Sequence, residues 1–246
     1  MSTLSDVVSW FGDSANWEGR SGVPARLAEH LRYSVSAVVG ATVIAAPLAA
    51  WLGHRRRFGT LAINVANIGQ TLPSFAILVL AVQVIAFREL PFVGSLALFI
   101  AMTLLAIPPI FVNTYTGVAQ VDDALRDAAR GSGMTPRQQL WRVEIPVALP
   151  VLLTGVRIAL VQVIATATLG AYVGVGGLGR YIIDGFAVRD HAEVFAGAVL
   201  VAALALVADR TVAALTRLLM RRRLGAQRSG NRTRSPFRRA PMRPIA

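Results

Sequence analysis

Charge-free apolar runs alternate with short polar ones along this chain, and the alternation sets its architecture. Tyr33 to Gly53 holds no charge and stops at His54-Arg55-Arg56-Arg57. Phe58 to Phe87 is again charge-free, with Pro73 inside it; Phe92 to about Thr116 follows, expected to bend at Pro108-Pro109. Residues 117–146 are polar, with four Arg and four acids. A fourth apolar run covers about 148–172 with Arg157 as its only charge, and a fifth covers about 194–215, with Asp209 and Arg210 near its end. A hydrocarbon core of ~30 Å takes about 20 apolar residues per helix. The pattern therefore predicts an all-α integral membrane protein with about five transmembrane helices, some broken or kinked by Pro. The 58–87 run reads either as one kinked span or as two shorter pieces. Five crossings keep the Arg clusters on one face.

Ahead of the first span, Leu4, Val7, Val8 and Phe11 recur at helical spacing beside Trp10 and Trp17. They predict a short amphipathic helix at an interface. The expected organisation is an extracytoplasmic segment 1–30, a transmembrane unit 31–220 and a basic tail 221–246 read as disordered.

Composition agrees: 54% of residues are hydrophobic and only 15% charged, which is membrane-like rather than soluble. There is no Cys, so thiol chemistry is excluded. There is also no Lys, so the chain cannot supply a P-loop lysine to nucleotide phosphates. Arg55 to Arg57, four Arg in 117–146 and ten from Arg217 to Arg243 would lie on one side, making seventeen; the other side would hold six. Cytoplasmic loops carry the Arg excess, which places the N-terminus outside, the C-terminus inside and the tail near anionic lipid rather than nucleic acid.

"GVGGLG" at 174–179 fits the dinucleotide fingerprint by letter. That fingerprint has meaning only inside a soluble βαβ unit, and none surrounds it here. Gly174, Gly176, Gly177 and Gly179 are read instead as a tight extracytoplasmic gate loop that dips inward and continues into "RYIIDGF". His30, His54 and His191 show no metal-ligand spacing and are read as structural or solvated.

The polar stretch "DAARGSGMTPRQQLWRVEIPVALP" at 127–150 carries the most information. Acids at 122, 123 and 127 suit a helix start, and Thr135-Pro136 suits an N-cap with Pro in the first turn. Two short helices joined by a glycine turn follow, interrupted by Pro146 before the next span. This stretch resembles the EAA loop of bacterial ABC importer permeases, in Asp127-Ala128-Ala129, Gly133, Val143, Ile145 and Pro146, with Asp in place of the first Glu. "SANWEG", "IPPIFVNTYTGV", "ATATLGAYVGVGGLGRYIIDG" and "RDHAEVFAGAVLVAALAL" are similar to the permease subunits of osmoprotectant importers for glycine betaine, choline, carnitine or proline betaine.

The resemblance implies a type I importer permease of the bacterial inner membrane, paired with a second permease. Its further partners would be an ABC ATPase dimer that uses ATP and Mg, and an extracytoplasmic solute-binding protein; the chain itself would bind no cofactor. The seven matching residues would grip the ATPase, with Asp127 as charged anchor. A methionine or phosphonate permease is the alternative within the class. An ion-coupled secondary transporter is disfavoured by the lack of internal repeats and mid-span acids, and a membrane enzyme by the lack of any catalytic constellation.

Polar residues inside spans face a bundle interior or water. Asn64, Asn67 and Gln70, extended by Thr71 and Ser74, therefore either line a pathway or bond between helices. Tyr115 with Asn113, and Thr166, Thr168 and Tyr172, are further candidates for lining. Arg157 either snorkels or pairs with Asp209.

Overall fold

The computed structural model describes residues 3–56, 59, 63–64, 71 and 73–232, and every regular element among them is helical. In chain order these are α1 (Thr3–Gly12), α2 (Val23–Arg55), α3 (Ser74–Phe87), α4 (Val93–Ala119), α5 (Asp123–Gly131), α6 (Pro136–Gln139), α7 (Ile145–Thr166), α8 (Gly179–Val188) and α9 (His191–Arg232). A 3₁₀ turn Ser14–Trp17 follows α1, a π turn Leu140–Glu144 joins α6 to α7, and a 3₁₀ segment Ala167–Val173 continues α7. Among the described residues, α2, α4, the stretch Pro136–Val173 and His191–Arg221 are long and apolar enough to cross a membrane. Helix α3 is apolar but has 14 residues, ~21 Å at helical rise.

Helix α4 is the mast of the bundle, packed on α2, α3 and α7. Its main partner, α2, carries Ala37, Ala41, Ala45, Ala49 and Gly53 at every fourth position, all buried. Small residues repeated at that interval let two backbones approach closely, the usual solution between spans that have no hydrophobic drive in lipid. At Gly53 the limit is reached: a Cβ there would stand 2.8 Å from the Tyr115 carbonyl oxygen. On the other flank, Gly155 of α7 sits against α4, where a Cβ would lie 2.7 Å from the Pro109 carbonyl oxygen. Helix α4 stays unbroken through Pro108-Pro109.

The two ends of the bundle are distinct. Helices α2 and α4 finish beside each other, since Arg56 Nε donates to the Ala119 carbonyl at 3.1 Å. The start of α4 lies at the opposite end, with Gly94 against Val173. Four long apolar helices and the shorter apolar α3 are in keeping with about five passes. Pro73 is the break expected of it, because α3 begins at Ser74. Near the N-terminus, α1 packs on α9 and Trp10 stands edge-on to Tyr181 of α8 at 5.3 Å.

One expectation is corrected. Pro146 does not interrupt the helix before the fourth span; the chain is helical from Pro136 to Val173. The π turn explains this. Ile145 N–H reaches back five residues to the Leu140 carbonyl, and the wider turn makes room for a ring that would otherwise strike the preceding carbonyl.

Arg157 pairs with Asp209 rather than snorkelling. Its Nε and Nη2 donate to the two carboxylate oxygens at 2.5 and 2.6 Å, a bidentate fork that stitches α7 to α9 within apolar spans. Removing one partner leaves a lone charge in the membrane. R157A is thus expected to lower the melting temperature in detergent more than the double variant R157A/D209A does. Equal losses would show that an unpaired Asp209 carries no penalty within the spans.

Candidate functional sites at the two ends of the bundle

The elbow between α4 and α7 is built by capping. Asp122 accepts from Ala124 N at 2.8 Å and starts α5. Gly133 turns the chain at φ +76°, a left-handed value open to glycine. Thr135 and Gln138 form a reciprocal capping box, with Pro136 in the first turn of α6. The two short helices joined by a glycine turn are therefore present. Asp127 stands on the outer face, 73% exposed, and pairs with Arg130 at 3.5 Å. Ala128 is exposed, whereas Ala129 is buried against the bundle. Val143 and Ile145 are half-buried where the elbow rejoins α7.

Beneath the elbow lies a charge cluster that the motif does not include. Glu144 is fully buried. Its carboxylate meets His54 Nδ1 at 2.8 Å, accepts from Gln139 Nε2 at 2.8 Å and faces Arg126 Nη1 at 3.2 Å. Arg126, itself buried, donates to the His54 carbonyl at 3.1 Å and the Val118 carbonyl at 2.7 Å. These carbonyls end α2 and α4, where helices leave acceptors unsatisfied. Arg56 completes the set, donating to Val121 O at 3.0 Å and pairing with Asp123 at 2.7 Å. Burial pushes the Arg126 guanidinium below its ordinary pKa, and the Glu144 carboxylate counters this. One sequence signal pointed here: Glu144 is the only acid between Asp127 and Asp184, at the edge of an apolar run.

At the far end, the 174–179 loop is latched to the start of α2. Gly177 N–H donates to Glu29 Oε2 at 2.8 Å, and Arg26 holds the same oxygen at 3.1 Å. Gly177 has φ +98° and passes over the His30 ring; Gly174 also turns left-handed. Gly176 and Gly179 are close approaches, to the Glu29 carboxylate and the Thr168 backbone. The loop leads into α8, as expected from "RYIIDGF". His30 bonds the Ile164 carbonyl at 2.9 Å, and Tyr181 donates to Ser21 O at 2.6 Å, so α2, α7 and α8 meet under the loop. Burial raises the Tyr181 phenol above its usual pKa.

Among the described residues, the candidates for lining a pathway lie at separate places. Asn67 and Gln70 lie outside the described residues; Asn64 and Thr71 are exposed. Tyr115 is buried near the elbow end, packed so that a Cβ at Gly59 would overlap its hydroxyl. Asn113 donates to the Pro109 carbonyl at 2.8 Å. Thr166 and Thr168 donate to carbonyls of Gln162 and Ala165, and Tyr172 is exposed and edge-on to Phe75 at 5.6 Å.

This architecture has counterparts. The choline transport system permease protein OpuBB of Bacillus subtilis is 36% identical over 191 residues, 78% of this chain and 85% of that protein. The carnitine transport permease protein OpuCD of Listeria monocytogenes is 33% identical over 210 residues, 85% of this chain and 89% of its own. Among solved structures, the MetNI methionine ABC transporter in an inward-facing form shares the fold, with TM-score 0.69 and 22% identity over 80% of this chain and 95% of that one. An amino acid ABC transporter solved with histidines aligns with TM-score 0.65 at 18% identity, covering 88% and 98%. The family described as "Binding-protein-dependent transport system inner membrane component" matches residues 39–221, and the chain belongs to it.

Proposed function

We propose that this chain forms, with an identical or related permease, the pathway for a small osmoprotectant such as glycine betaine, choline, carnitine or proline betaine. A separate ABC ATPase dimer, using ATP and Mg, drives it, and an extracytoplasmic binding protein delivers the solute. The names of the relatives over most of the chain support the solute class. The observation that carries the coupling role is the elbow itself. It projects two capped helices from the Arg-rich end, and its root is fixed by a buried ion cluster. By the positive-inside rule this end is cytosolic, where an ATPase would meet it. Asp127, Ala128 and Gly133 lie on or near its outer surface, suited to a partner's groove. Ala129, Val143, Ile145 and Pro146 serve its seat against the spans. At the opposite end the latched glycine loop is the gate that faces the binding protein.

Uptake of radiolabelled glycine betaine into vesicles with trapped ATP, binding protein and ATPase tests the reading. Uptake is expected; its absence with all partners present rejects betaine, and methionine or phosphonate uptake in its place redirects the solute class. The variant D127A/G133L is expected to cut ATP-driven uptake at least ~10-fold, about 1.4 kcal/mol of lost coupling, and to release the ATPase on co-purification. Retained ATPase and full uptake would remove the elbow from the mechanism.

The root cluster gives a separate expectation. E144A strands the buried Arg126 and is expected to cost about 3–5 kcal/mol, the range for breaking a buried ion pair. E144Q keeps the shape and two of the hydrogen bonds and costs less. Thermal unfolding in detergent ranks them; equal stability of E144A and the parent protein would show that the cluster does not hold the elbow.

A further inference from the structure

A cavity of about 760 Å³ opens between the last turn of α2 and the elbow. Trp51 and Arg55 from α2 form one wall, and Arg130, Arg137 and Trp141 from the elbow form the other, with His54 also lining it. No acid lines it. Arg55 lies over the Trp51 ring at 4.4 Å, and neither Arg55 nor Arg137 has a carboxylate partner among the described residues. Arg130 reaches Asp127 only at 3.5 Å, with both side chains exposed. Two guanidinium groups without a carboxylate partner among the described residues, and a third paired only with an exposed Asp127, thus share one concavity.

The level of the cavity matters as much as its charge. It sits where the apolar α2 span ends, at Arg55. Trp51 and Trp141, 46% and 59% exposed, flank it. Tryptophan prefers the headgroup layer, and basic pockets beside spans hold anionic headgroups. A guanidinium fork matches phosphate oxygens in geometry.

We infer that this cavity binds the phosphate headgroup of an anionic glycerophospholipid, which bridges α2 and the elbow. The acyl chains extend along the exposed α2 face, where Val43, Ile44 and Leu48 are open to the surroundings. Because His54 lines the cavity and also holds Glu144, a seated headgroup braces the root of the elbow from outside. The site does not depend on which solute is carried.

The test is native mass spectrometry of the full chain with its ATPase, taken from phosphatidylglycerol-doped phosphatidylcholine nanodiscs. The parent complex is expected to retain phosphatidylglycerol in preference to phosphatidylcholine. R55Q/R137Q is expected to retain it on the order of 30-fold less, since each surface arginine is worth about a factor of five at an anionic membrane. R55K/R137K, which keeps both charges, is expected to restore most of the retention and controls for folding. Equal retention by R55Q/R137Q overturns the site. Soluble glycerol phosphate displacing the lipid at equal concentration assigns the cavity to a free phosphate ester and overturns the lipid. Loss of the ATPase from R55Q/R137Q with phosphatidylglycerol retained assigns it to an acidic surface of that partner, again against the inference. Betaine uptake, read separately, keeps a failure here apart from a failure of the transport reading.

Discussion

The contact between Glu144 and Arg126 is the constraint on which the elbow end of this bundle depends. Helices α2 and α4 end side by side, and both point unsatisfied carbonyls at the same place. Arg126 and Arg56 answer them, placing cationic groups at the negative ends of two helix dipoles. A buried guanidinium then needs an anion of its own, and Glu144 supplies it from the start of the next span. His54 and Gln139 add a contact to each of its carboxylate oxygens. The result joins α2, α4, α5 and the root of α7 through polar bonds rather than apolar packing. Such a cluster adds little net stability over a well-packed apolar substitute, yet it resists the loss of any one member. A part that transmits displacement needs that property: it must not slip in register when pulled.

The opposite end is built by another rule. There the chain uses glycine to bring backbone against backbone and a single carboxylate, Glu29, to hold the loop through Gly177. Its surroundings are α2, α7 and α8, two of which also reach the elbow. Helix α2 begins under the loop and ends in the Glu144 cluster; α7 begins at that cluster and ends, at Ile164, bonded to His30 of α2. The small-residue seam from Ala37 to Gly53 keeps α2 fixed on α4 between these points. On the proposed function, a shift of the elbow would move a connected set of stiff elements whose far ends carry the glycine loop. This is a structural route for coupling, argued from contiguity.

The sequence made the spans and the elbow legible because each rests on local chemistry. Apolar runs located α2, α4, α7 and α9, and N-cap residues located α5 and α6. Five passes followed from keeping Arg55 to Arg57 with the tail, and the four long apolar helices with the shorter α3 are in keeping with that. What the sequence hid was non-local. Nothing near Glu144 announces that His54, ninety residues earlier, is its partner. The pairing of Arg157 with Asp209 was visible only as one of two options. Pro146 misled because a proline ordinarily stops a helix, and the π turn that absorbs it has no strong signature of its own. The charge-free run begins at Tyr33, whereas α2 starts ten residues earlier at Val23 and carries Glu29 and His30 into the loop latch.

The placement of the lining candidates bears on how labour is divided in such a system. Thr166 and Thr168 spend their hydroxyl protons on carbonyls three and four residues back, and Asn113 does the same with its amide. Tyr115 is packed into the core. Of the aromatic groups suited to a quaternary ammonium, Tyr172 with Phe75 presents an exposed pair, close to the loop end. One pair on one wall holds a cation weakly, because cation–π attraction at exposed sites is worth only about 0.5–1 kcal/mol. A route with weak sites lets a solute leave as readily as it enters, and tight selection then falls to the protein that delivers it. On the proposed function, the chain's specificity would lie in whom it docks at each end, and its interior would need only to let a small polar solute pass.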